Sequence, residues 1–248
     1  MPPRALRPTG VALVDKPAGP SSFAIVATLR RRTGARTGHA GTLDPFATGL
    51  LVLLSGAATR LAPCFVGLDK RYVTEVDLTA TTTTGDPEGE VVERHRAPSR
   101  EQLDASLERL RGEVELPVPA ASAVKIDGER AYRLRRRGVE VDMPMRRSEV
   151  HVLDCVAYDG GIVRLELHVG SGTYVRAIAA ALGGHCTTLR RTAVGPFLVE
   201  EASLVEDASL MPAAAALDRL PDAALARVEP VVRAGVLALD DRGDGSAA

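Results

Sequence analysis

The sequence predicts a mixed α/β fold, because segments with the period of a strand and segments with the period of a helix both occur along it. Residues 72–80 alternate between apolar and polar side chains, which is typical of a half-buried strand. Residues 150–158 and 162–169 repeat this alternation on either side of Asp159-Gly160-Gly161, and such a turn favours a hairpin. Residues 99–112 instead place leucines at helical spacing, as an amphipathic helix does.

The N-terminal part is predicted to contain a strand, a helix and a second strand. Residues 11–19 combine a short apolar run with a Pro/Gly turn. Ser21 or Ser22 is suited to cap a helix that ends at Gly34, because glycine is a common helix terminator. The apolar run at residues 50–54 then predicts a buried strand.

Two more helices are predicted further along the chain. Ser99 and Gln102 have the spacing of a capping box, and Gly112 is expected to close the helix that they begin. The strand at residues 162–169 ends at a glycine-rich turn, after which a helix is predicted over residues 174–182.

Composition indicates an ordinary globular protein of the reducing cytoplasm. The 248 residues could form one large domain or one domain with an appendage. No apolar run approaches the ~20 residues of a membrane-spanning helix, so we expect no membrane association. Cys64, Cys155 and Cys186 are scattered, which argues against a disulfide framework and against a zinc site. We also expect a monomer.

One stretch, GHAGTLDPFATG at residues 38–49, is the candidate functional centre. Its glycines permit backbone conformations that are closed to other residues and allow a ligand to approach closely. Pro45 biases Asp44 towards an extended conformation, which would hold the carboxylate on a stiff loop. These residues alone fit a plain Asp-Pro turn between two elements equally well.

The same stretch resembles the catalytic motif of the TruB-type tRNA pseudouridine synthases, GHxGTLDPxATGxL, and every fixed position is met. Further similar segments are DKPAGPSS, SGTYVR and HCTTLRRTAVGPF, which begin at residues 15, 171 and 185. The resemblance covers roughly residues 10–199. It implies a pseudouridine synthase fold, with a bent, largely antiparallel central sheet, flanking helices and an RNA-gripping arm.

The resemblance also implies a role for each candidate site residue. Asp44 would be the catalytic carboxylate, and Arg176 would pair with it. Tyr72 would stack on a flipped-out uridine, Tyr174 and Leu189 would pack around the base, and His39 would support the flipped arrangement. The residues alone favour a core or rim position for Tyr72 and a structural role in the loop for His39.

An arm at about residues 115–150 is predicted to bind RNA. Five arginines lie within eight residues there without an acidic residue among them, at positions Arg130, Arg133, Arg135, Arg136 and Arg137. That density favours phosphate contacts over a solvated surface. Tyr132 lies between the arginines and could stack on a base or pack against the protein.

The predicted domain organisation is a catalytic domain at residues 1–199 followed by an acidic extension at residues 200–248. The extension contains ten acidic residues against four arginines, which leaves the preceding body mildly basic. Relatives usually continue into a small RNA-binding PUA module, and no complete PUA domain is expected here.

The predicted function is therefore isomerisation of the T-loop uridine of tRNA, at position 55, to pseudouridine. The substrate partner is tRNA, bound through its T-arm. Nothing is oxidised or hydrolysed in this reaction, so no cofactor and no metal are expected. Three alternatives stay open: the guide-RNA-dependent branch of the family, an RNA-folding protein whose catalysis is dispensable, and an aldolase-like or hydrolase-like use of Asp44.

Overall fold

A computed structural model of the protein describes residues 8–122, 124–126, 128–131, 137, 139 and 142–240. The chain forms two compact units. The first contains the chain up to Lys70 together with the chain from Arg190 onward, and the second contains Arg71–Leu189. Both units combine helices with mostly antiparallel strands, which confirms the predicted mixed α/β class.

The first unit begins with β1 (Gly10–Lys16), α1 (Ser22–Thr33), β2 (Thr37–His39), β3 (Thr48–Ser55), a 3-10 helix (Gly56–Leu61) and α2 (Ala62–Val66). Then come β4 (Lys70–Asp77), β5 (Ala80–Thr82), β6 (Val91–Arg94), α3 (Arg100–Arg109), β7 (Gly112–Pro117), β8 (Lys125–Ile126), β9 (Glu129–Arg130), β10 (Met145–Asp159), β11 (Ile162–Val169), α4 (Val175–Ala181) and β12 (His185–Val194). The chain ends in the first unit with β13 (Phe197–Leu198), a 3-10 helix (Val199–Glu201), α5 (Ala213–Leu217), α6 (Asp222–Leu225) and α7 (Pro230–Asp240).

Strand β3 pairs with three other strands, β1, β2 and the end of β12. It pairs antiparallel with β1 and with β2, and it pairs in parallel with the C-terminal end of β12 at Arg190 and Arg191. Its residues from Leu50 to Ser55 are all buried, so it crosses the interior of the unit. The loop that carries Asp44 connects β2 to this buried strand.

The sheet of the second unit follows the order β12, β4, β11, β10, β7. The hairpin predicted across Gly160 and Gly161 is confirmed, since β10 and β11 pair antiparallel from Val150 opposite Val169 to Asp159 opposite Ile162. Strand β10 begins at Met145, earlier than the sequence predicts, because its first residues pair with β7.

Local capping signals predicted the helices well. Ser21 accepts a hydrogen bond from the Ala24 amide at the start of α1, and Gly34 follows the helix in a left-handed conformation. The capping box of Ser99 and Gln102 is present at the start of α3. The prediction that Gly112 closes α3 is wrong: the helix ends at Arg109, and Gly112 is the first residue of β7.

The segment after residue 199 packs into the first unit and completes its hydrophobic core. Met211 and Ser203 form isolated bridges with Val11 and Val14 of β1. The three short helices of this segment contribute buried side chains, which are Ala213, Ala216, Leu217, Ala224 and Val236. This acidic segment is therefore structural in the first unit, although its composition gave no sign of a core.

Within the part of the chain that the structure describes, no helix is both long and apolar enough to cross a membrane.

Most of the arginine-rich part of the predicted arm lies outside the described residues, namely Tyr132, Arg133, Arg135 and Arg136. Arg137 is exposed and forms an ion pair with Glu129 at 2.6 Å.

Candidate active site

Asp44 lies half-buried in the irregular loop between β2 and β3. The loop's glycines are needed where the backbone turns or approaches a neighbour closely. Gly41 has a φ of +126°, which side-chain-bearing residues rarely adopt. A Cβ at Gly49 would lie 2.2 Å from the carbonyl oxygen of Arg191, so only glycine allows β3 and β12 to meet there.

A buried serine fixes the residue immediately before Asp44. The Ser22 hydroxyl, at the start of α1, donates to the carbonyl of Leu43 at 2.9 Å and accepts from its amide at 2.8 Å. Both backbone groups of Leu43 are thus held by one side chain. Because Leu43 precedes Asp44 directly, Ser22 restricts the direction in which the carboxylate projects.

A buried lysine fixes the residues after Asp44. Lys16, at the end of β1, is fully buried. Its ammonium donates to the carbonyls of Pro45 at 3.0 Å and Ala47 at 2.7 Å, and also to that of Pro17. The lysine therefore ties the C-terminal side of the loop to β1.

A buried arginine fixes the residues before Leu43. Arg191 donates to the carbonyls of Gly41 at 3.1 Å, Thr42 at 3.4 Å and Leu50 at 2.7 Å. The loop is thereby joined on its N-terminal side to strand β3. Taken together, buried side chains hold the backbone of five loop residues, Gly41, Thr42, Leu43, Pro45 and Ala47.

Electrostatics keeps the imidazole at the entrance of the loop neutral. The amide of Gly41 donates to Nδ1 of His39 at 3.3 Å, so the ring nitrogen that carries a proton is Nε2. Burial, and secondly the positive charge of Arg191, lower the pKa of His39 below its ordinary value of 6.5. At neutral pH the imidazole thus offers one N–H donor and no charge.

A second buried amine lies close to this loop. Lys70 donates to the carbonyls of Val66 at 2.7 Å and Leu68 at 2.5 Å. Its burial, and secondly the nearby Arg191, lower the pKa of Lys70 from 10.5 to about 8. Two buried basic side chains, Lys70 and Arg191, therefore lie beside the Asp44 loop.

In the second unit, the structure places the remaining predicted site residues on the ends of regular elements. Tyr72 is half-buried near the start of β4, and the residues that follow it on the same face, Thr74, Val76, Leu78 and Ala80, are buried as predicted. Tyr174 directly precedes α4 and is half-buried, whereas Leu189 in β12 is buried.

Arg176 is buried in the first turn of α4 and has several partners in the second unit. Its guanidinium lies 3.3 Å from the carboxylate of Asp86. It also donates to the carbonyls of Thr84 at 2.8 Å and Ala121 at 3.0 Å. Asp86 accepts from the Thr84 hydroxyl and the Glu88 amide, so the carboxylate that faces Arg176 is itself fixed.

The structure brings His39 and Asp44 onto one loop of the first unit, and Tyr174 and Arg176 onto one helix start of the second. The grouping of Asp44 with the residues of the second unit stays a prediction. Sequence reasoning gave no role at the site to four residues that the structure shows to be well connected, namely Lys16, Ser22, Asp86 and Arg191. Lys16, Ser22 and Arg191 lie in segments that were matched to a motif, and that match was the available signal.

Comparisons with known proteins identify a family model and several relatives that this chain resembles. Residues 29–175 match the model of the TruB family pseudouridylate synthase N-terminal domain. The tRNA pseudouridine synthase B of Thermobifida fusca is 42% identical over 215 residues, which cover 80% of this chain and 73% of that protein. The tRNA pseudouridine synthase B of Corynebacterium efficiens is 43% identical over 237 residues, which cover 90% of this chain and 79% of that protein.

A solved structure shows a similar fold. A chain in the crystal structure of a Cbf5–Nop10–Gar1 complex superposes with a TM-score of 0.60 at 26% identity. The match covers 79% of the present chain but 51% of the solved one, so this chain spans about half the length of that neighbour.

Proposed function

This chain belongs to the TruB family of pseudouridine synthases, and we propose that it isomerises uridine 55 in the T-loop of tRNA to pseudouridine. The observation that carries the proposal is the rigid loop that presents Asp44. Buried side chains on both sides of this residue hold the backbone, so the carboxylate is positioned before substrate arrives. Such preorganisation is expected of a group that acts on a reacting atom.

The chemistry explains why one carboxylate on a fixed loop suffices. The reaction breaks the bond between N1 of uracil and C1′ of ribose, turns the base, and joins C5 to C1′. C5 gives up its proton and N1 gains one, so product and substrate contain the same atoms. An ionised Asp44 could attack the sugar carbon or take part in proton transfer, and both routes require the charged form.

The other predicted residues fit roles in holding a flipped nucleotide. A base inside folded RNA must leave its stack before an enzyme can act on it. Tyr72 would stack on the base, Tyr174 and Leu189 would pack around it, and Arg176 would favour the ionised carboxylate of Asp44. His39 would donate Nε2–H to an acceptor of the RNA, a role that its neutral state allows.

Recognition of the T-arm would combine this site with the arginine-rich arm. The arm would bind phosphates, since a dense run of arginines with no acidic residue in its sequence attracts RNA backbone. Arg137 departs from that pattern, because it already pairs with Glu129.

We place the catalytic function in residues 1–199 and a supporting structural role in the described part of the segment that follows. We further propose a monomer that works in the cytoplasm.

The relatives favour tRNA over the alternatives. The two proteins named tRNA pseudouridine synthase B are 42% and 43% identical to this chain, whereas the Cbf5 chain is 26% identical. A guide-RNA-dependent enzyme would leave free tRNA unmodified, and an RNA-folding protein would act without Asp44. Mapping of pseudouridine in free tRNA therefore separates the first alternative from the proposed function, and an assay of tRNA folding with Asp44→Asn separates the second.

The experiment is incubation of the purified protein with unmodified tRNA, followed by mapping of pseudouridine at each uridine. We expect modification at position 55 without added cofactor. Asp44→Asn keeps the size of the side chain but removes its charge, so turnover should fall by several orders of magnitude while tRNA binding survives. The matched control is Asp104→Asn, which alters an exposed helical carboxylate. Retention of a tenth of wild-type turnover in Asp44→Asn would show that the catalytic assignment is wrong.

A further inference from the structure

We propose that Arg191 is a positioning residue for catalysis: it fixes the N-terminal side of the Asp44 loop and keeps a positive charge beneath it. This inference rests on the proposed role of Asp44. Arg191 touches neither the substrate nor the reacting atoms in this proposal, and it acts through the loop.

The first support is the way in which the guanidinium uses its nitrogens. Nε donates to the carbonyl of Leu50 in β3, while the two terminal nitrogens donate to Thr42 and Gly41 in the loop. Three separate nitrogens in one rigid plane thus connect a buried strand to two consecutive loop residues. A lysine could not reproduce this, because its donors radiate from a single atom.

The second support is the charge itself. Arg191 is 1% exposed, and no carboxylate among the described residues forms an ion pair with it. A buried charge that faces only carbonyl dipoles is costly to keep, so its retention calls for a reason. The charge acts on groups in and beside the loop, because it contributes to the lowered pKa values of His39 and Lys70.

The third support is the short distance along the chain to Asp44. Consecutive Cα atoms are ~3.8 Å apart, so the Cα atoms of Thr42 and Asp44 cannot be more than ~7.6 Å apart. The guanidinium that binds the carbonyls of Gly41 and Thr42 therefore lies beside the same short loop as the residue that must stay ionised. A positive charge near a carboxyl group favours its ionised form.

The neighbouring arginine shows what distinguishes Arg191. Arg190 lies on the same strand but is half-exposed, and it pairs with the carboxylate of Asp15 at 2.8 Å. Among the described residues, its side chain reaches the Asp44 loop only through a long 3.5 Å hydrogen bond to the Thr48 hydroxyl. Substitution of Arg190 thus removes the same formal charge without detaching the loop, which makes it the matched control.

The test compares Arg191→Met, Arg191→Lys and Arg190→Met in single-turnover assays and in tRNA-binding assays. A misplacement of about 1 Å can cost ~100-fold in rate. We therefore expect Arg191→Met to lose at least ~100-fold in the single-turnover rate while its Kd for tRNA stays within about threefold. Arg191→Lys should fall between this variant and the wild type, because it keeps the charge but not the three-point contact. Arg190→Met should keep a near wild-type rate.

Two further readouts separate positioning from a loss of folding. In Arg191→Met, the pKa of His39 measured by NMR should rise, because a lowering charge has been removed. In Arg191→Ala, free guanidinium at tens of millimolar should restore part of the rate, whereas ethylammonium should not. If Arg191→Met and Arg191→Ala fail to fold, the rate of Arg191→Lys decides alone.

A wild-type rate in Arg191→Lys, or a folded Arg191→Met with a rate within threefold of the wild type, would overturn the proposal. An equal loss of rate and of tRNA affinity in Arg191→Met would also overturn it. Failure of the proposed function looks different, since the wild-type protein itself would then form no pseudouridine. The His39 titration still reports on the charge of Arg191 in that case.

Discussion

The guanidinium of Arg176 lies 3.3 Å from the carboxylate of Asp86, and both side chains are buried. The carboxylate of Asp86 accepts hydrogen bonds from the Thr84 hydroxyl and the Glu88 amide. The guanidinium of Arg176 donates to the carbonyls of Thr84 and Ala121. Asp86 thus fixes the orientation of the arginine that is proposed to act on Asp44. Loss of Asp86 would leave Arg176 buried with less compensation.

The first prediction follows from this pair. Removing one partner of a buried ion pair costs about 3–5 kcal/mol, because the other charge is left uncompensated. Asp86→Ala should therefore lower the free energy of unfolding by an amount of that order, measured by urea denaturation. It should also reduce turnover more than tRNA binding. The control is Asp104→Ala, whose exposed pair with Arg100 should contribute less than about 1 kcal/mol. Similar stabilities of Asp86→Ala and wild type would show that Asp86 contributes little to holding Arg176.

The second prediction concerns Tyr72. Its proposed role uses the face of the ring, and stacking of a base on an aromatic side chain is worth ~1–3 kcal/mol. Tyr72→Phe should therefore keep most of the activity, and Tyr72→Ala should lose about 5-fold to 150-fold in kcat/KM. Steady-state kinetics on unmodified tRNA measures both. Equal losses in the two variants would assign the role to the hydroxyl group instead.

The sequence predicted what local chemistry determines. The capping box at Ser99 and the glycine after α1 need only neighbouring residues, so the start of α3 and the end of α1 were predicted correctly. The early start of β10 was missed, because Met145 and the residues after it do not alternate in polarity and pair instead with the distant strand β7. Pairing partners of that kind cannot be read from one segment.

The candidate site shows the same division. Asp44 could be identified because its motif is contiguous in the sequence. Lys16 and Arg191 could not be assigned to its loop, because both are distant from it in the sequence. Lys16 precedes its partner Pro45 by 29 positions, and Arg191 follows its partner Gly41 by 150 positions. A buried charge that binds carbonyl groups also leaves no trace in composition or periodicity. The candidate catalytic aspartate could therefore be predicted from the sequence, whereas the buried side chains that hold its loop could not.

The third prediction is a pH dependence of stability caused by Lys70. Burial lowers the pKa of this lysine in the folded protein from 10.5 to about 8. Between these two values the unfolded chain holds a proton that the folded chain has released. The unfolded state thus binds more protons, and stability attributable to this group rises with pH across the window, by up to roughly 3 kcal/mol.

Chemical denaturation of wild type and Lys70→Met at several pH values between 7 and 11 tests this. The wild-type protein should gain stability relative to Lys70→Met as pH rises through about 8 to 10.5. Lys125→Met, at an exposed position, should run parallel to wild type. A constant difference between wild type and Lys70→Met would mean that the lysine keeps an ordinary pKa.

The fourth prediction concerns the C-terminal segment, and it compares two valines on α7. Val236 is fully buried in the core of the first unit, whereas Val231 is 72% exposed. Truncating a fully buried valine removes two methyl groups from the core, so Val236→Ala should lower the free energy of unfolding by roughly 2 kcal/mol. Val231→Ala on the same helix should change it by less than about 0.5 kcal/mol.

Thermal or urea unfolding of both variants measures the difference, and pseudouridine formation by the folded fraction should be unchanged in each. Removal of the segment after Glu201 should have a larger effect, because it strips β1 of its bridges to Ser203 and Met211 and exposes the core beneath. A truncated protein that unfolds cooperatively with wild-type stability would show that the segment only rests on the first unit. Equal, small effects of the two valine substitutions would lead to the same conclusion for α7.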